Sequence, residues 1–288
     1  MGQDKEDLPA KSYTTIFLSS MAVSEPMIHT LISWLAKAEG LQALVLSGSR
    51  TGLVIDDLSD YDLYVYSEEP LSLEIRHEMA SLFASRAEIG NSFFDEGDEL
   101  FLADGTAVDI MYRSLEWAQQ QVDWVWKTHH ASVGYSTAFI HNLKTATILH
   151  DSDGRFAHIQ KQLDTPYPKE LTKAITAKNY PLLRSKLMAS YYEQIEHAMV
   201  RHDLVSQAHR TSALLASYFD ILFAINAQNH PGEKKLVTWA KKTCKLLPEA
   251  FEGMVDQVVE QIGQKELLQL IDSLLDGLDG LLRKEGWV

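Results

Sequence analysis

Sulfur crosslinks are the first thing this 288-residue sequence does without: Cys244 is its one cysteine. No intramolecular disulfide and no zinc site built on several thiolates can form, and a reducing, cytoplasmic setting is the expectation. Basic residues are scarce, with 26 Lys and Arg against 40 Asp and Glu and a net charge of -14. Neutralising a long phosphate backbone takes a basic face, so long DNA or RNA is not the expected partner, although a small basic pocket for a nucleotide stays open. No run approaches 18 apolar residues. The most apolar helical stretch, 212–226, is shorter than a membrane span and carries Asp220, so a buried helix is expected and no membrane partner. Residues 1–11 are polar and acidic, unlike a signal or transit peptide. The eleven histidines form no convincing ligand pair, and the acidic run Asp56, Asp57, Asp60, Asp62 lacks the glycine and distal glutamate of a calcium loop.

What remains has an ordinary globular balance, 45% apolar and 23% charged. At about 150 residues per domain the length suggests two, and such a chain needs no staples. The first half mixes periods. Helical spacing over 26–38 is followed by a short apolar run at 41–46 that reads as a buried strand entering a turn. An aromatic, β-rich segment at 61–66 reads as a second strand, and helical spacing returns over 71–87. Apolar runs at 100–103 and 107–112 flank Asp104 and Gly105, a hairpin signal. From about residue 153 nearly everything has helical period, with helices predicted over 169–178, 182–201, 204–229, 233–246, 249–262 and 265–284, joined by short connections as in a bundle. The expected fold class is α+β: a small mixed sheet flanked by helices over residues 1–145, then an all-α helical bundle over 146–288.

The chemistry concentrates between the first two strands. Side chains alternate along a strand, so Asp60 and Asp62 share a face while Tyr61, Leu63 and Val65 point to a core. Two adjacent carboxylates repel unless a cation lies between them, and hard oxygen ligands at this spacing suit Mg²⁺, which accepts substrate phosphates among its ligands. Asp109 sits between the core residues Val108 and Ile110 on the predicted hairpin, so it faces away from the core. If the hairpin lies beside the Asp60/Asp62 strand, three carboxylates meet. Such a set can hold two divalent ions about 3.5–4 Å apart for in-line displacement at phosphorus. Gly48 and Ser49 follow the buried strand directly, where glycine lets the backbone approach a phosphate and the turn amides and Ser hydroxyl cradle its oxygens.

Gly48, Ser49, Arg50 and Gly52, six residues, then Ser59, Asp60, a spacer and Asp62, with Asp109 later, resemble the motif of the nucleotidyltransferase superfamily typified by DNA polymerase beta. The similarity is greatest to bacterial small-molecule, antibiotic-modifying and minimal nucleotidyltransferases with a helical C-terminal part, and spans roughly residues 41–113. Residues 218–226 and 230–234, the latter reading His, Pro, Gly, Glu, Lys, are similar to a segment of uncharacterised bacterial members. The resemblance implies two Mg²⁺ ions on Asp60, Asp62 and Asp109, and a nucleoside triphosphate, ATP by expectation, held through Gly48 and Ser49; Arg50 is a candidate to reach the phosphates, with a plain surface position as the alternative reading. It also implies transfer of a nucleoside monophosphate to a hydroxyl of a small molecule with release of pyrophosphate. Asp109, Glu96 or Glu99 would take the hydroxyl's proton. The acceptor could equally be a tyrosine or serine of a partner protein, as in AMPylating toxin–antitoxin enzymes, or the chain could be a catalytically silent nucleotide-binding protein. Either a monomer or a homodimer is expected.

Plainer readings accompany these. Lys234 and Lys235 at a helix start oppose the helix dipole, which marks Lys234 as a candidate triphosphate ligand, but a solvated basic cluster with Lys241 and Lys242 explains them too. Trp117, Trp124 and Trp126 read as core packing rather than base-stacking groups. Leu214, Leu215, Tyr218, Ile221, Leu222 and Ile225 form a core stripe.

Overall fold

The structure is a computed structural model that describes residues 26–51, 60–93, 95–186 and 189–288. In chain order the elements are α1 (Met27–Leu35), β1 (Leu41–Ser47), β2 (Tyr61–Ser67), α2 (Leu73–Phe83), β3 (Ala84–Asn91), β4 (Gly97–Leu102), β5 (Ala107–Arg113), α3 (Leu115–Gln121), α4 (Ala138–Thr145), β6 (Thr147–Asp151), α5 (Arg155–Lys161), α6 (Lys169–Leu183), α7 (Tyr191–Val200), α8 (Leu204–Ile225), α9 (Leu236–Thr243), α10 (Phe251–Glu260) and α11 (Leu267–Lys284). The architecture is mixed α and β, a single sheet followed by a helical second half. No helix among the described residues is long and apolar enough to cross a membrane.

The strands lie in the order β3-β4-β5-β2-β1-β6. The sheet is mixed because β2 and β5 run parallel while the other neighbours are antiparallel. Alternation along the strands decides the faces. Leu63, Val65, Leu100, Leu102, Val108 and Ile110 pack on Ile28, Leu31 and Leu35 of α1 and Met79 and Phe83 of α2. The opposite face buries Ala43, Val45 and Tyr66 under α3, α4 and α5, and under Leu171 and Ile175 of α6 and Ala224 of α8. A separate core built on Leu214, Tyr218, Phe219, Ile221 and Leu222 of α8 joins α8 to α10 and α11.

Four expectations need correction. The helix read over 71–87 stops at Phe83, and residues from Ala84 onward form β3, whose exposed side chains carry little apolar signal and which depends on pairing with β4. The Asp-Gly hairpin forms, but its connection runs over four residues, 103–106, rather than two. A sixth strand, β6, lies just past residue 145 and pairs with β1. The helix read over 182–201 divides into the end of α6, which contains Pro181, and α7, where the Ser190 side chain caps the new start by accepting from the Glu193 amide.

Candidate functional site

The site is built on one row of residues across the sheet. Ser47 pairs with Asp62, Asp62 with Asp109 across the parallel β2–β5 pair, and Asp109 with Glu99 of β4. Opposed residues share a face, so carboxylates of three neighbouring strands line up. Their neighbours in sequence, Leu63, Val108, Ile110 and Leu100, are buried on the other side. Asp60, just before β2, is two residues from Asp62 and therefore on the same face.

The turn after β1 presses on this row. Gly48 has φ +68, and a Cβ built there would fall 1.9 Å from Oδ2 of Asp62. Glycine is thus required twice, for the left-handed backbone and for the space the Asp62 carboxylate occupies. The backbone of Gly48–Thr51 forms a short 3-10 turn, closed by the Thr51 hydroxyl donating to the Gly48 carbonyl. Arg50 stacks over the Tyr61 ring at 4.0 Å, and its Nε is buried with no hydrogen-bond partner among the described residues. Gly52, Ser59 and the Ser49 side chain lie outside the described residues.

Electrostatics mark the row as charge-crowded. Burial, and then the negative charges of Asp62, Asp60 and Glu99, push the Asp109 carboxyl up to about 6, and the Lys234 ammonium opposes the rise. Lys234, in the loop before α9, is thus one of the charges that act on Asp109. From α4, the Asn142 carbonyl accepts from the buried Ser47 hydroxyl at 3.2 Å, tying the helical side to the row. Of the two glutamates considered as bases, Glu96 is held by the guanidinium of Arg76 at 2.6 Å, whereas Glu99 stands opposite Asp109. Arg76 itself is buried, and with Asp98 and the Tyr112 hydroxyl it forms a closed polar knot on the other side of β4. Nothing local in the sequence signals that knot. Trp126 is buried as read, but Trp124 is 55% exposed and stacks on His130, so its reading as core packing is corrected.

Among the described residues no three His, Cys, Asp or Glu side chains are grouped to hold a metal ion by themselves. Mg²⁺ does not ask for such a cage. It is usually held by one or two carboxylates, with water and substrate phosphates completing the shell. The opposed pair Asp62 and Asp109, hard donors in a site where burial and then the Asp62 charge raise the Asp109 carboxyl, fits that role.

Residues 135–236 match the model of a family described as a domain of unknown function (DUF4037). No curated protein matches the chain. Similar solved structures include a nucleotidyltransferase-like protein from Exiguobacterium sibiricum 255-15, 15% identical, covering 90% of this chain and 74% of that one with a TM-score of 0.41. They also include a Thermotoga maritima CCA-adding enzyme complexed with tRNA, 12% identical over 91% and 82% of the two chains with a TM-score of 0.30. A CCA-adding enzyme with CTP is 15% identical over 91% and 67%, with a TM-score of 0.29. At these identities and TM-scores the weight of any functional reading rests on the site's own residues.

Proposed function

We propose that the chain is a nucleotidyltransferase that moves a nucleoside monophosphate, AMP by preference, from a nucleoside triphosphate to a hydroxyl of a small molecule. The observation that carries this is the register Asp62 opposite Asp109, with Gly48 packed against the Asp62 carboxylate. A phosphate-facing bend and a carboxylate pair in one place have few other uses, and a structural role would not favour placing like charges side by side. Asp62 and Asp109, joined by Asp60, would hold divalent Mg²⁺, which when bound supplies charge neutralisation at the phosphates. The backbone of the Gly48–Thr51 turn, Ser49, Arg50 and Lys234 would bind the β- and γ-phosphates. Arg50 offers a buried N–H without a partner among the described residues, and Lys234 a cation whose charge acts on the Asp109 carboxyl.

In the reaction the acceptor oxygen forms a bond to the α-phosphorus, the α–β anhydride bond breaks, and pyrophosphate leaves. The acceptor's proton passes to a carboxylate, Asp109 or its neighbour Glu99. Catalysis is then mainly positioning and charge stabilisation. The proposed division is a nucleotidyltransferase part over 1–145 and a helical part over 146–288, with the helical part lending β6 to the sheet edge and Lys234 to the site.

The test is pyrophosphate release with Mg²⁺ and each nucleoside triphosphate across a panel of hydroxyl-bearing acceptors, with intact-mass analysis of proteins in a lysate run beside it. Turnover on a small molecule, lost in Asp62→Asn with the fold retained, is the expected result. A nucleotidyl adduct on a protein would reassign the acceptor. Tight nucleotide binding with no turnover on any acceptor would reduce the chain to a binding protein.

A further inference from the structure

The loop that carries Lys234 is held by a side chain to which the proposed chemistry gives no role. His230 follows α8 and is completely buried. Its backbone N–H donates to the Thr137 hydroxyl at 2.8 Å, and Thr137 is itself buried. Its ring lies edge-on to Tyr135 at 4.7 Å and to Phe223 at 5.3 Å. Ring atom Nδ1 accepts the N–H of Gly232 at 3.2 Å. Gly232 has φ +101 with open space where a Cβ would stand, so its backbone needs glycine for conformation and not for room. Lys235 also turns through the left-handed region, at φ +56. The segment thus reverses twice within four residues, and the His230 imidazole is the anchor of the first reversal. Lys234 lies between the two.

The hydrogen bond also fixes the ring's chemistry. An Nδ1 that accepts must be unprotonated, so the proton of the neutral ring is on Nε2. That Nε2 is buried with no hydrogen-bond partner among the described residues. An orphaned buried donor is costly, and an apolar ring would fill the same space between Tyr135 and Phe223 without that cost. What an apolar ring lacks is the acceptor for Gly232. Burial, with the neighbouring His141, holds the imidazole well below its usual range, at about 3, so the acceptor persists at neutral pH.

We infer that His230 is a positioning residue: through Nδ1 and the Gly232 N–H it sets the loop that presents Lys234 to the triphosphate at the carboxylate row. This rests on the nucleotidyltransferase reading for the identity of the ligand, but not for the loop geometry. Asparagine can set Oδ1 where Nδ1 stands, whereas the oxygen of glutamine is one bond further out. His230→Gln is therefore expected to raise the Kd for MgATP about 10-fold, the scale of one misplaced charge-assisted contact, with little change in kcat. His230→Asn should remain within about 2-fold of wild type. In a double-mutant cycle, His230→Gln should add nothing to Lys234→Met, because both changes remove the same contact. Equal weakening by Asn and Gln, or full additivity with Lys234→Met, would overturn the inference.

Amide exchange at Gly232 gives a readout independent of nucleotide: protected in wild type and His230→Asn, unprotected in His230→Gln. Wild-type protein that binds no nucleoside triphosphate would sink the transferase reading, and Gly232 exchange would then still decide whether His230 fixes the loop. If His230→Gln does not fold, Gly232→Ala strains the same turn with no steric clash. An unchanged MgATP affinity in that variant would equally overturn the inference.

Discussion

Two carboxyls in this molecule are pushed upward by burial, and their neighbours then act on them in opposite directions. Asp220, in the middle of α8, is raised to about 7 by burial, while the Ser136 hydroxyl, the Ser136 amide and the Asn179 side chain counteract the rise. All three donate to it, at 2.6, 3.0 and 3.2 Å. Asp109 is raised to about 6 by burial too, but the next three influences on it are other carboxylates, and all push the same way. One group sits in a nest of donors that pin the 132–137 segment to α6 and α8. The other is held among charges that repel it. A satisfied buried carboxyl accounts for itself as structure, whereas a repelled one on a sheet face costs stability, as the proposed metal site would require.

The comparison is broken most severely by removing the charge at the row. Asp62→Asn is expected to lower nucleotidyl transfer by about 1,000-fold, the scale of losing a preorganised electrostatic group, with an unchanged circular dichroism spectrum. Full activity in that variant would make the row ornamental. Asp220→Ala should do the reverse: it leaves the buried Ser136 amide without its acceptor and takes from the Asn179 amide group one of its three, the Ser132 and Ile175 carbonyls remaining. A loss of about 2–3 kcal/mol in unfolding free energy is expected, read by urea titration, with the kcat of the folded fraction near wild type. A smaller step is Gly48→Ala. The new methyl meets Oδ2 of Asp62 and the backbone is at φ +68, so Asp62 must move. Transfer should fall about 10- to 100-fold, while stability falls by about 1–2 kcal/mol.

The two regions were not equally legible in the sequence. The row at β2 followed from period-2 alternation: once Leu63 and Val65 are core, Asp60 and Asp62 must share the other face. Asp109 followed in the same way from Val108 and Ile110. Which strand would stand beside β2, and in what register, depends on a crossover through α2, β3 and β4 that no short window contains. Glu99 could not be chosen over Glu96 until the pairing with Asp109 and the contact with Arg76 separated them. The Asp220 nest was not legible, because its donors lie 84 and 41 residues away in sequence, and an aspartate in an apolar helix reads only as a break in hydrophobicity. Edge strands β3 and β6 escaped for a related reason. The side chains of β3 are largely exposed and none in β6 is fully buried, so what makes them strands is the backbone of a neighbour rather than their own pattern.

The finest distinction between the two carboxyls is thermodynamic, and Asp109→Asn measures it. The folded carboxyl titrates near 6 against an ordinary 3.8. Below about pH 3.8 it is protonated in both folded and unfolded chains and carries no repulsion. Between the two values folding takes up a proton, so the stability contributed by the neutral form is lost as pH rises, and above about 6 the folded state bears the full charge. An asparagine of the same shape never acquires that charge. In EDTA at pH 8 the variant should therefore melt about 2 °C above wild type, the gain should shrink through pH 6, and it should vanish near pH 3.5. Added Mg²⁺ should raise the wild type and narrow the gap, because an ion held between Asp62 and Asp109 replaces repulsion with attraction. A variant less stable than wild type at pH 8 in EDTA would mean that the Asp109 charge is compensated as fully as that of Asp220, and the contrast between the two sites would disappear.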